Sequence, residues 1–279
     1  MTTTKEREFR FTRKDFQTIQ ELVAERTGIA LSDIKSDMIY SRLVRRLRAT
    51  GCEDFQGYLA LLEDRDSPEL ENFVNAVTTN LTAFFRENHH FEHMAHTALP
   101  ELMAARAGER RLRLWSAGCS TGEEAYSMAM VVDEVVPAAW DVEILATDLD
   151  TEVVRRGAAG IYAEERVKNL SRERLKAHFL RGKGRNAGKV RVKPHLRERV
   201  RFEQLNMIET PWPLREHFDI VFCRNVIIYF NKETQKALFA EIPKVMQPDG
   251  WLYIGHSETL WQVSDEFEAL GHTIYRRHG

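Results

Sequence analysis

The sequence predicts an α/β protein in two parts: an all-helical N-terminal domain, then a doubly wound, Rossmann-like sheet carrying a small inserted antiparallel β-subdomain. Three observations predict it. Residues 9–80 place apolar side chains at helical spacing, short apolar runs alternate with helix-length segments from Arg111 onward, and one interval between runs is too long for a simple crossover.

In the first part, Phe16, Ile19, Leu22 and Val23, then Ile39, Leu43 and Leu47, then Phe73, Val74 and Val77 recur in steps of about three and four, the stripe of a helix that buries one face. No alternating strand pattern intrudes. We assign 1–80 to the helical domain, 81–95 to a linker and 96–279 to the second domain. There the runs 112–115, 142–146, 200–202, 218–223 and 251–254 are candidate strands of a parallel sheet, with 272–276 a candidate last strand. A crossover with its helix needs about 12 to 25 residues, and the interval from Asp148 to Val200 is about twice that. Within it, Gly182, Gly184 and Gly188 precede Lys189-Val190-Arg191-Val192-Lys193, whose strict alternation is that of a half-exposed strand. The insertion is therefore placed at about 182–199, with this strand as its exposed edge.

Composition narrows the class. Hydrophobic residues make up 43% and charged ones 29% of 279 residues, which excludes a disordered chain. A net charge of -2 argues against a general nucleic-acid binder. The N-terminus lacks an apolar signal core, and the longest apolar run, 219–230, is broken by Arg224 and Asn225, so neither secretion nor a membrane span is expected. Cys52, Cys119 and Cys223 lie far apart with no C-x-x-C pair, which fits a reducing cytoplasm.

The chemistry concentrates where the first parallel strand ends. Leu112-Arg113-Leu114-Trp115 runs into Ser116-Ala117-Gly118-Cys119-Ser120-Thr121-Gly122-Glu123-Glu124 and then a helical segment, a strand-glycine turn-helix unit of the kind that brings backbone close to a cofactor. Asp148 follows at the end of the next strand, where a carboxylate accepts both hydroxyls of a ribose. An adenosine cofactor is implied. A dinucleotide is disfavoured, because the spacing is G-x-x-x-G and Glu123 and Glu124 at the helix start repel a pyrophosphate. S-adenosylmethionine, with an ammonium and a sulfonium, suits an acidic loop. Residue chemistry alone does not separate Glu123 from Glu124.

Five blocks resemble the CheR family of chemotaxis receptor methyltransferases: Asn80-Leu81-Thr82-Ala83-Phe84-Phe85-Arg86-Glu87, Ser120-Thr121-Gly122-Glu123-Glu124, Ala146-Thr147-Asp148-Leu149-Asp150, Phe222-Cys223-Arg224-Asn225-Val226-Ile227-Ile228-Tyr229-Phe230 and Gly255-His256-Ser257-Glu258. The resemblance runs from about residue 9 to the C-terminus. It implies a class I S-adenosylmethionine-dependent methyltransferase fold and transfer of a methyl group to glutamate γ-carboxylates of bacterial chemoreceptors, leaving S-adenosylhomocysteine. It further implies that Asn80, Thr82 and Arg86 close over the cofactor, that Glu124 and Asp148 hold it from the sheet side, that Asn206 and Met207 lie by the adenine, and that Arg224 and Asn225 bind it at the end of the fourth strand.

A glutamate carboxylate is already ionised at neutral pH, so transfer needs alignment and water exclusion rather than a general base. Arg86 and Tyr229 are the expected catalytic residues, one orienting a carboxylate and the other donating a hydrogen bond near the reacting oxygen. A nucleic-acid methyltransferase is the weaker alternative, since the fourth strand leads into Cys223-Arg224-Asn225-Val226 and not a proline-rich base-stacking motif. Arg42, Arg45, Arg46 and Arg48 form a basic helical stripe suited to the glutamate-rich methylation helices of a receptor. The extended tail of a receptor, a C-terminal pentapeptide, is expected to add to the edge of the β-subdomain, with Arg191 and Lys193 attracting its acidic side chains. No metal is expected: His89, His90, His93 and His96 lack the H-E-x-x-H pattern.

Overall fold

A computed structural model describes residues 7–64 and 66–278. The chain forms two compact units, Met1–Thr79 together with Tyr229–Asn231, and Asn80–Ile228 together with Lys232–Gly279.

The first unit holds helices α1 (Arg13–Thr27), α2 (Ser36–Thr50), α3 (Phe55–Glu63) and α4 (Glu69–Val77). Thr12 and Asp15 start α1 as a reciprocal capping box, and Gly28 ends it at φ 71°, a left-handed turn that glycine adopts without a Cβ penalty. The predicted stripes form the core: Phe16, Ile19, Val23, Ile39, Leu43, Leu47, Phe73 and Val77 are buried, together with Phe55, Tyr58 and Leu62 of α3. Each such side chain contributes about 1.5–3 kcal/mol by leaving water. The Ala30 N–H donates to the Tyr229 carbonyl at 2.7 Å, which ties the short segment after 228 to this unit.

The second unit begins with α5 (His89–His93) and α6 (Leu99–Ala105) and then builds a seven-stranded sheet. Its strands are β1 (Arg111–Ala117), β2 (Asp141–Asp148), β6 (Val200–Gln204), β7 (Phe218–Cys223), β8 (Met246–Ile254), β9 (Phe267–Ala269) and β10 (Ile274–Arg277), in the order β6-β2-β1-β7-β8-β10-β9. The first five of these run parallel, with Leu114 level with Ile144 on one side and Ile220 on the other, and the tail strand β10 pairs antiparallel with β8 and β9. The chain steps outward from β1 to β2 and β6, then returns to β1's other flank with β7. That reversal opens the crevice where doubly wound sheets bind ligands. Helices α7 (Glu123–Val135), α8 (Thr151–Ala159) and α11 (Lys232–Glu241) connect strands of this sheet.

The insertion differs from the expected 182–199. Its sheet comprises β3 (Ile161–Ala163), β4 (Phe179–Arg181) and β5 (Lys189–Val192) in the order β3-β5-β4, with α9 (Arg172–His178) before β4 and α10 (Pro194–Arg197) after β5. The alternating strand is therefore the centre and not the edge: β5 pairs antiparallel with both neighbours, and Val190 and Val192 are buried. The alternation reported one buried face correctly, but pairing partners as short as three residues carry no comparable signal.

Candidate functional site

The site lies along the carboxyl edge of the parallel strands. After β1 the backbone turns at Gly118 (φ 83°), where a Cβ would stand 2.4 Å from Val226 Cγ2, and at Gly122 (φ 91°), where it would meet Phe202 at 2.9 Å. Both positions therefore demand glycine. The Gly118 and Cys119 N–H groups donate to the Thr147 carbonyl at 2.8 Å, fixing the turn against the end of β2.

Asp148 closes that turn from the other side. Its Oδ2 accepts from the Ser120 N–H at 2.8 Å and its Oδ1 from the Asp150 N–H at 3.0 Å. Burial pushes its carboxyl up to about 6, against the pull of these N–H donors. Asp150 is differently employed. It caps α8 through the Glu152 and Val153 N–H groups and accepts from the Asn80 side chain at 2.7 Å.

The two glutamates that sequence could not separate part company. Glu123, fully buried, accepts from Thr121 at 2.6 Å and from Arg166 Nε at 3.0 Å. Glu124 points the other way, accepting from the Ser116 hydroxyl at 2.7 Å and from Arg224 at 3.2 Å. Burial raises the Glu124 carboxyl, with Arg224 opposing.

Segment 80–87 belongs to the same edge. The Asn80 carbonyl accepts from the Ser120 hydroxyl at 3.1 Å, the Thr82 carbonyl from Arg166 at 2.9 Å, and the Phe85 N–H donates to Ser127 at 3.0 Å. Arg86 donates to the Leu81 carbonyl at 2.8 Å, and Phe85 and Glu87 both adopt positive φ. Arg224, 5% exposed, is the buried cation beneath: it donates to the Arg86 carbonyl, to Glu87 at 2.9 Å and to Glu124. Burial alone would raise the Glu87 carboxyl, but the Arg224 guanidinium and the Asn225 amide hold it down at about 2. Asn225, at φ 58°, donates through Nδ2 to Glu87 at 3.2 Å. On the far flank, the Leu205 N–H donates to the Asp148 carbonyl at 3.0 Å and so sets Asn206 and Met207 just beyond it. There the Asn206 side chain engages Glu209 and the Ile208 N–H, and the Met207 carbonyl accepts from Trp212.

Sequence reasoning missed two anchors. Glu258, 6% exposed, accepts from the N–H groups of Asn225, Ile227, Ile228 and Gly255, so one carboxylate shapes the loop after β7. Glu87 links Arg224 to Asn225. Both ended motif blocks already singled out, but a residue that acts through backbone N–H groups leaves no spacing signature.

Two expected features belong to the helical unit. Tyr229 groups with the helical unit, where Lys35 Nζ sits 4.8 Å from its ring centroid. The basic stripe of α2 is mostly committed within the same unit: Arg42 donates to the carbonyls of Ala76, Val77 and Thr78 at the end of α4, Arg46 pairs in two bonds of 2.7 and 2.6 Å with buried Glu69, and Arg48 pairs with Glu8. Arg45 is exposed and makes no hydrogen bond or ion pair among the described residues. The histidines of 89–96 are also employed: His90 meets the His272 carbonyl and Thr273 at 3.0 Å, His93 meets Tyr253 at 2.9 Å, and His96 the Glu92 carbonyl at 2.9 Å.

A doubly wound sheet with a glycine turn after β1 and an acidic residue ending β2 defines an adenosine-binding enzyme, and the comparisons specify which. Residues 80–276 match the model described as CheR methyltransferase, SAM binding domain, and residues 14–78 match CheR methyltransferase, all-alpha domain. The chain belongs to the CheR methyltransferase family and is an S-adenosylmethionine-dependent methyltransferase. It is 44% identical to the chemotaxis protein methyltransferase of Escherichia coli strain K12, over 93% of this chain and 89% of the relative. It is likewise 44% identical to that of Salmonella typhimurium, over 93% and 88%. Against chemotaxis protein methyltransferase 2 of Pseudomonas aeruginosa it is 43% identical, over 96% and 94%.

Proposed function

We propose that this enzyme transfers the methyl group of S-adenosylmethionine to glutamate γ-carboxylates on the cytoplasmic helices of bacterial chemoreceptors, forming glutamyl methyl esters during adaptation. The observation that carries the reading is the anchored edge itself: Asp148, Glu124 and segment 80–87 are held by hydrogen bonds around a turn whose glycines let Val226 and Phe202 pack against it. No described helix is long and apolar enough to cross a membrane, in keeping with action in the cytoplasm.

The donor set fits S-adenosylmethionine. Asp148 spends one lone pair of each oxygen on backbone N–H groups and keeps the others for two ribose hydroxyls. Glu124 offers negative charge toward the ammonium end, Asn80 and Thr82 close from above, and Asn206 and Met207 flank the adenine. Asn225 stands at the end of β7. Arg224 holds Glu124, Glu87 and the Arg86 carbonyl in register at the cofactor's edge. Bound, the cofactor supplies an electrophilic methyl group on a sulfonium.

The chain's own work is alignment and exclusion of water. Arg86 orients a carboxylate through paired N–H donors, and Tyr229 donates one hydrogen bond near the attacking oxygen. Neither removes a proton, because the glutamate is ionised already. Cys119 and Cys223 are not nucleophiles: burial pushes both thiols well up. Arg86→Ala and Tyr229→Phe are expected to slow turnover about tenfold or more, near 1.4 kcal/mol of barrier, with melting temperatures unchanged. A receptor C-terminal pentapeptide adds to an outer strand of the small sheet, β3 or β4, a reading supported by the exposure of Ile161 and Leu180 there.

The test is incubation with labelled S-adenosylmethionine and receptors from the same cell. Label on receptor that is released by mild alkali supports glutamyl esters. Alkali-stable label, or label on nucleic acid, overturns the reading.

A further inference from the structure

Away from the carboxyl edge, three side chains from three helices converge. His178 ends α9, His195 lies in α10 and Asp133 lies near the end of α7. Their ligating atoms all lie within 4.8 Å of one another. Asp133 Oδ2 stands 3.9 Å from His178 Nδ1 and 3.7 Å from His195 Nε2. His178 is 2% exposed, yet its Nδ1 has no hydrogen-bond partner among the described residues and faces Asp133. A buried ring nitrogen left bare is costly unless something occupies it.

We propose that Asp133, His178 and His195 bind a borderline divalent metal ion such as Zn²⁺, as a structural clip between the inserted subdomain and α7. Two imidazoles and one carboxylate are ligands that Zn²⁺ accepts, and solvent completes a fourth position beside the exposed Asp133 and His195. Metal–nitrogen bonds of about 2.0–2.1 Å need ligand atoms about 3.3 Å apart, so the 3.7 Å from Asp133 to His195 and the 3.9 Å from Asp133 to His178 must each close by about half an ångström. The other nitrogen of His178 is also accounted for. Its Nε2 lies 3.6 Å from Glu134 Oε1, and Arg174 holds that carboxylate in place with bonds of 2.7 Å. An N–H on Nε2 directed at Glu134 leaves Nδ1 with its lone pair toward the metal, the carboxylate–histidine–metal arrangement. Arg199, 4.0 Å from Asp133 Oδ1, is the cation that an incoming metal must outcompete.

The location gives the ion a purpose. α9 leads into β4 and α10 follows β5, so a metal held by both closes the base of the small sheet and fixes it to a helix of the main fold. Spacing hides this site: the three residues are 45 and 17 positions apart, unlike any sequential ligand motif.

Untagged full-length protein, stripped with chelator and dialysed, is titrated with ZnCl₂ by calorimetry and with Co²⁺ by visible absorption. One Zn²⁺ per chain, a raised melting temperature and a Co²⁺ spectrum of nitrogen-oxygen ligation are expected. His195→Ala, at an exposed position, should weaken binding about tenfold or more while leaving methyl transfer and the metal-free melting temperature unchanged. His178→Ala is confirmatory where it folds, and Asp133→Asn serves where it does not. Absence of stoichiometric binding overturns the proposal. So does binding undiminished in His195→Ala and Asp133→Asn, which assigns the ion to other histidines.

Discussion

At the carboxyl edge of β1, β2 and β7 a buried cation is closely paired, whereas beside the inserted sheet the ion pairs lie nearer the surface and a buried ring nitrogen stays open. Arg224 touches two carboxylates and a carbonyl within 3.2 Å, and Asp148 accepts two backbone N–H groups. His178 Nδ1 and His195 Nε2 stand 3.9 and 3.7 Å from Asp133 Oδ2, and the ion pair on the outer strand, Arg181 with Glu164, lies at the surface. An edge satisfied from within has its shape before a ligand arrives, so binding incurs little ordering cost. Beside the insertion the open contact is local, the Nδ1 of His178, and it is there that a ligand would add order.

The largest expected effect breaks the edge. Arg224→Met leaves Glu87 and Glu124 buried without a cation, and removing one partner of a buried pair costs about 3–5 kcal/mol. Arg181→Ala on the insertion, whose side chain is 80% exposed, should stay within about 0.5 kcal/mol. Urea unfolding of both variants measures the difference. Equal losses would mean that the two regions are not built differently.

A smaller effect sharpens the role of Asp148. Asp148→Asn is expected to weaken S-adenosylhomocysteine about tenfold, since an amide exchanges one acceptor for a donor. Stability should change little. Burial holds the folded carboxyl up at about 6 against an ordinary 3.8, so its contribution to stability is full below pH 3.8 and lost as pH rises through 6. The asparagine variant is relieved of that cost at pH 7.5, which offsets the one backbone N–H bond, from Ser120 or Asp150, that its amide cannot accept, so its melting temperature should stay close to wild type. Wild-type affinity for S-adenosylhomocysteine should fall between pH 7 and 5 as Asp148 takes up its proton, and the variant's should not. Calorimetry at both pH values decides; matching profiles would remove Asp148 from the site.

The same contrast explains what sequence could and could not say. Periodicity located the helical core and the parallel strands, because burial on one face repeats along the chain: Ile19, Val23 and Leu43, or Leu114, Ile144 and Ile220. The glycine turn and Asp148 were legible because Gly118 and Gly122 answer local steric demands. Glu123 and Glu124 were not separable, since their partners Arg166 and Arg224 arrive from 43 and 100 positions away. For the same reason the alternation of β5 gave its buried face but not its neighbours, and the charges of α2 gave a stripe but not its internal pairing.

That pairing sets the smallest effect. If the basic face of α2 meets acidic receptor helices, the residue free to do so is Arg45, since Arg42, Arg46 and Arg48 already have partners within the helical unit. Arg45→Ala should slow receptor methylation by about two- to fivefold at low ionic strength, through slower encounter, with no change in melting temperature. The deficit should vanish in high salt, where the screening length falls to about 3 Å at 1 M. Arg46→Ala should do the reverse, costing about 1–3 kcal/mol of stability because buried Glu69 and the Tyr58 hydroxyl that donates to it lose their cation. Rates measured across a salt series, beside melting curves, separate the two. If Arg45→Ala matches wild type at low salt, this face of α2 does not steer the receptor, and the positive charge of the helix serves the fold alone.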